Sequence, residues 1–94
     1  MVSKFKVVWQ GNHRIPRPWN DVEHESCEIR LRKFGKPKFG NEFLCIMFDE
    51  VAKCQFKKGD VVEADLAFAV VKLSNGSYCQ AIFVNDIKAV GKHG

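Results

Sequence analysis

From residue 30 to residue 39 the chain reads Arg-Leu-Arg-Lys-Phe-Gly-Lys-Pro-Lys-Phe, with five cationic side chains and two aromatic rings. Guanidinium and ammonium groups pair with phosphate oxygens, and an exposed ring can stack on a base. Residue types interleaved in this way suit a polyanion that also carries flat π-faces. Arg14, Arg17 and Trp19 add the same chemistry in an earlier proline-containing segment, and Tyr78 adds a ring near a later turn. The candidate binding residues are therefore Arg14, Arg17, Trp19, Arg30, Arg32, Lys33, Phe34, Lys36, Lys38, Phe39 and Tyr78. Structural roles compete for the same residues. Trp19, Phe34 and Phe39 could cover the ends of a core. Arg30 and Arg32 could pair across strands with Glu28, Glu63 or Asp65, since opposite charges facing each other stabilise sheets modestly.

The charge distribution points the same way. Residues 1–40 hold nine basic and four acidic side chains, whereas residues 41–94 hold six and seven, for a net +4 overall. An excess confined to one half favours a polyanionic partner, although a basic segment can also be no more than a solvated surface.

Other chemistries lack their residues. There is no glycine-rich phosphate loop, no Gly-X-Ser-X-Gly elbow and no His-Glu-X-X-His. Asp49 and Glu50 are adjacent, so on a helix start they point in different directions and suit the helix N-terminus better than acid–base work. His13 and His24 flank a loop, and His93 is near the end. The four cysteines, at 27, 45, 54 and 79, show no ligand-pair spacing. Cys27, Cys45 and Cys79 lie in apolar runs and read as core thiols, so neither metal nor disulfide is expected. The expectation is a non-enzymatic protein with no cofactor.

The positioning elements follow from periodicity. Ninety-four residues with 46% hydrophobic and 28% charged side chains make one modest domain. Its extent is expected to be 1–90, with 91–94 a flexible tail. No apolar run reaches the length of a membrane span. The N-terminus has no signal-peptide stretch, which implies a cytoplasmic location. The dominant period is two. Phe5 to Trp9 opens a strand, and Gly11 to Glu25, with Pro16 and Pro18, breaks the pattern. Cys27 to Arg32 alternates strictly, with Glu28, Arg30 and Arg32 outward, and Phe34 keeps the outward parity. Phe43 to Phe48 is apolar on both faces. Asp49 to Phe56 has room for a helical turn or two, with Asp49 as N-cap. Gly59 makes a tight turn. Residues 61–73 alternate again, with Val62, Ala64, Leu66, Phe68 and Val70 on one face. Asn75-Gly76 signals a hairpin to a strand over Tyr78–Val84, which continues after a kink toward Val90. The expected buried set is Ile29, Leu31, Val62, Leu66, Phe68 and Phe83.

This layout predicts an all-β, five-stranded, OB-fold-like Greek-key barrel with a short helix between strands 3 and 4. The run Phe56-Lys57-Lys58-Gly59-Asp60-Val61-Val62, the long strand after it, Asn75-Gly76 and Tyr78–Val84 resemble the C-terminal half of small bacterial single-stranded-DNA-binding-like OB domains. There, a Phe-X-X-Gly-Asp turn enters the fourth strand and a glycine turn joins it to the fifth. The resemblance covers residues 26–90. An SH3-like barrel shares the glycine–aspartate turn, but the interval at 49–56 and the length of the 61–73 strand favour the OB arrangement.

The resemblance implies single-stranded DNA or RNA as partner, laid across the second and third strands. Self-association into a homodimer is a further expectation, because the 43–48 run and the outer stripe of Val61, Ala67, Ala69 and Val71 need cover. A protein-interaction or oligomerisation module without nucleic-acid binding is the alternative.

Overall fold

A computed structural model describes residues 2–35 and 41–92. Strands β1 (Val2–Gln10), β2 (Ser26–Lys33) and β3 (Glu42–Phe48) are followed by α1 (Asp49–Ala52), β4 (Asp60–Lys72) and β5 (Tyr78–Lys92). They close in the order β1-β2-β3-β5-β4, with β4 returning to β1. Among the described residues, only the β3–β5 pairing is parallel, and it matches Ile46 with Phe83. This is a five-stranded OB-type Greek-key barrel with one short helix between its third and fourth strands. Among the described residues, no helix is long and apolar enough to cross a membrane.

Period-two alternation builds the interior. Cys27, Ile29 and Leu31 of β2, Cys45 and Met47 of β3, and Val62, Ala64 and Leu66 of β4 are buried, joined by Phe5, Val7, Ala52, Val84 and Ile87. Each large aliphatic side chain so buried contributes about 1.5–3 kcal/mol. Among the described residues, three one-residue bulges adjust the alternation. Val8 is the extra residue against β2, since Val7 pairs with Leu31 and Trp9 with Arg30. Asn85 and Val90 are the extra residues of β5 against β4. An extra residue reverses the parity of everything after it. Val84 and Ile87 can thus both face inward although three positions apart, and the kink expected in the last strand falls at Asn85.

The turns use the expected residues with some changes. Gly59 has φ 95°, and its N–H donates to the Val7 carbonyl at 2.8 Å. Gly76 has φ 87°, but Asn75-Gly76 sits in a loop spanning Leu73–Ser77, closed by Leu73 N–H to the Ser77 carbonyl, rather than in a two-residue turn. The helix lies where expected but is capped differently. Phe48 is its N-cap, without a side-chain bond, and Asp49 has entered the helix at φ 52°. Asp49 is held there by its N–H, which donates to the Glu25 carbonyl at 2.9 Å.

Four further expectations are corrected. Phe68 is 62% exposed, although it shares the inward parity of Leu66. Among the described residues, β1 pairs with β4 only as far as Asp65, so no part of β1 lies beside Phe68. From Phe68–Ile82 to Lys72–Tyr78, β4 and β5 pair only with each other among the described residues, and they leave the barrel as a two-stranded arm. Phe83, at the root of the arm, is half-buried. Cys79 lies on the arm and is exposed, so it is not a core thiol, unlike Cys27 and Cys45. Gly91 and Lys92 still pair with Val61 and Asp60, so the strand runs into the segment expected to be a tail.

The thiols should therefore separate by environment. Burial pushes Cys45 up to about 11 from 9.0. A maleimide reagent at neutral pH is expected to label Cys79 first and Cys45 only after denaturant is added. Because the folded value is the higher one, Cys45 costs no stability below pH 9.0, and the native state loses stability as pH rises from there to about 11. Thermal melts should show a larger alkaline loss for wild type than for Cys45→Ala. Equal losses would remove Cys45 as the cause.

Candidate nucleic-acid interface

Register aligns the outward residues of β1, β2 and β3 into rows. Lys6, Arg32 and Glu42 form one row, and Trp9, Arg30 and Leu44 the next. Glu28 then lies beside Ile46, which pairs with Phe83, and Ser26 joins Arg14 to Phe48. The Val8 bulge is what brings Trp9 here. Uninterrupted alternation after Phe5 and Val7 would aim it at the core.

Trp9 is 46% exposed, and the Arg30 guanidinium carbon lies 5.8 Å from its ring centroid. That distance is within cation–π range. A Cβ on Gly11 would come within 2.8 Å of the Trp9 ring, so the indole rests on a position open to it because residue 11 has no side chain. Phe48 stacks on Phe83 with centroids 5.7 Å apart and planes at 30°. Between the Trp9 and Phe48 rings runs a trough of about 480 Å³, lined by Gly11, Asn12, Arg14, Ser26, Glu28 and Ile46 as well as the two rings. Two aromatic surfaces separated by aliphatic Leu44 and Ile46, with Arg14, Arg30, Arg32 and Lys6 around them, can stack bases and pair phosphates.

The arginines are not free cations. Glu42 Oε2 accepts from Arg32 Nη2 at 2.8 Å, and Glu42 Oε1 lies 4.0 Å from Arg30 Nε. The expected partners Glu63 and Asp65 are on β4, which lies beside β1 and β5 and never next to β2. Glu63 pairs instead with Lys88 at 3.5 Å.

The loop from residue 11 to residue 25 is anchored at its base. Arg14 and Ser26 exchange backbone hydrogen bonds of 2.8 and 2.9 Å, and His13 Nε2 lies 2.6 Å from Glu25 Oε1. Asn20 Oδ1 accepts from the N–H groups of Arg17 and Val22 and shapes the tip. Arg17 and Trp19 line a second, open cleft on this loop, and Trp19 is 80% exposed.

The expected site residues therefore divide. Arg14, Arg30 and Arg32 share the platform, and Arg17 and Trp19 stand beside it on the loop. Lys33 has the inward parity and lies at the end of the barrel near Phe5, Phe43 and Phe68. Phe34 is exposed just past the end of β2. Tyr78 is exposed on the arm opposite Lys72, away from the β2 rows. Lys36, Lys38 and Phe39 lie outside the described residues. Sequence reasoning missed Trp9, Leu44, Phe48 and Phe83. The two-sided apolar run at 43–48 was the available signal, since its second face is this platform. Among the described residues, no three His, Cys, Asp or Glu side chains gather as a metal site. No protein-family model matches the chain, and no curated protein matches it.

Proposed function

We propose that this OB-type domain binds single-stranded nucleic acid, with tolerance of sequence, across the outer face of β1, β2 and β3. The observation that carries this reading is the pair of aromatic surfaces, Trp9 under Arg30 and Phe48 against Phe83, set on the face OB-folds commonly use for oligonucleotides. Bases stack on the rings, and Arg14, Arg30, Arg32 and Lys6 meet phosphates. The resemblance to bacterial single-stranded-DNA-binding-like domains and the basic excess before residue 41 support the same reading. DNA and RNA present the same π-faces and phosphates here. The reading includes no enzymatic step and no cofactor.

Glu42 gives this reading a sharp test. Its carboxylate occupies the two arginines that phosphates need, so a bound strand must compete with it. Titration of a short oligonucleotide at low and at physiological salt should show affinity falling with salt. Glu42→Gln should raise affinity about two- to fivefold, the scale of one exposed ion pair. An unchanged or lower affinity for Glu42→Gln would remove Arg30 and Arg32 from the phosphate path. Wild type that ignores the oligonucleotide at low salt would leave the protein-interaction module as the reading.

A further inference from the structure

We infer that the free edge of β4, from Leu66 to Lys72, pairs antiparallel with the same edge of a second copy, with the twofold axis passing at Ala69. This goes beyond the nucleic-acid reading and does not rest on it. Among the described residues, β1 covers β4 only to Asp65, while β4 itself continues to Lys72. The edge beyond Asp65 therefore presents main-chain N–H and C=O groups with no strand beside it. A two-stranded ribbon is marginal in water, and protective charges or prolines usually blunt such an edge. Here Leu66-Ala67-Phe68-Ala69-Val70-Val71 carries neither.

The edge is complementary to itself. Ala69 is the middle of Leu66–Lys72, so a twofold there sets Phe68 opposite Val70 of the other copy, twice. These are among the most exposed apolar residues of the chain, at 62% and 67%. Ala67 then meets Val71, and Ala69 meets its own counterpart, where two methyl groups fit at cross-strand distance. The two ribbons become one four-stranded sheet, which satisfies both edges. Charge agrees with this arrangement. Two copies of a +4 chain repel, but the edge is uncharged up to Lys72, and the register sets each Lys72 opposite Leu66 of the other copy rather than opposite its own counterpart.

The test is light scattering at tens of micromolar on wild type, Ala69→Lys, Ala69→Glu and an equal mixture of the two variants, with circular dichroism melts to confirm folding. Wild type should be a dimer. Each variant alone places like charges face to face and should weaken dimerisation by about two- to fivefold. The mixture should restore the dimer. If the charged variants fail to fold, Ala69→Cys in a Cys79→Ser background keeps the test open, because oxidation should link two copies through residue 69. A monomeric wild type would overturn the inference and leave the arm to a partner of different sequence. Dimers as tight as wild type in both single variants, a mixture no tighter than either variant alone, or no cross-link through residue 69 would overturn it as well.

Discussion

Trp9→Ala is expected to weaken oligonucleotide binding by about 1–3 kcal/mol, the worth of one stacked base, which is about 5–150-fold. Phe48→Ala should cost a similar amount, less any stacking that Phe83 takes over. Both losses should leave the salt dependence nearly unchanged, because neither ring meets a phosphate. Arg30→Ala combined with Arg32→Ala should do the reverse and flatten the log–log salt slope by about 1.4, or 0.7 for each phosphate lost on a single strand. Trp9→Phe should recover most of the affinity, which separates stacking from a fold defect. Tryptophan fluorescence should change on binding in wild type. Removing Trp19 would show how much of that change belongs to the indole on β1. A Trp9→Ala variant that binds as tightly as wild type would move the site away from this face.

Gln10→Ala is expected to cost about 2–4 kcal/mol of stability, although Gln10 is polar and ends its strand. Its side-chain amide is a clamp. Nε2 donates to the Cys54 carbonyl at 2.8 Å, and the Phe56 N–H donates to Oε1 at 2.8 Å. Nε2 also lies 3.5 Å from Cys27 Sγ. The segment after α1 carries Cys54 and Phe56 against the core, and this amide supplies two of its backbone partners. Truncation leaves a part-buried carbonyl and a part-buried N–H without them, at about 1–3 kcal/mol each before water compensates. For a domain of this length that is a fall in Tm of about 10–25 °C. Gln10→Glu should recover only the bond from Phe56, because a carboxylate cannot donate to Cys54. A melting temperature within a few degrees of wild type for Gln10→Ala would mean that water replaces both bonds.

Wherever local chemistry decides, the sequence was readable. Cys27 to Arg32 alternates because one face of β2 is buried and the other solvated, so outward Arg30 and Arg32 could be assigned without coordinates. Gly59 marked its turn because a positive φ suits a residue without a side chain. The helix position followed from the break between two strands, but its cap did not, since a distant carbonyl on Glu25 holds Asp49. The buried limit of β4 was also beyond a local reading. Phe68 has the pattern of a core residue and lies outside because, among the described residues, β1 pairs with β4 no further than Asp65.

What the chain determined alone was the kind of strand at each position and the supply of cations and rings for a polyanionic partner. Tertiary structure decided which of those groups meet. Phe5-Lys6-Val7-Val8-Trp9-Gln10 is equally compatible with an unbroken strand that buries Trp9 and exposes Gln10. The bulge at Val8 reverses both. The extra residue lets Val7 keep its place opposite Leu31 while Gln10 reaches Cys54 and Phe56 far along the chain. Parity is a local property only until an extra residue enters, and non-local pairing sets where it enters. Pairing also placed Glu42 beside Arg32, because the strand order makes β3 rather than β4 the neighbour of β2.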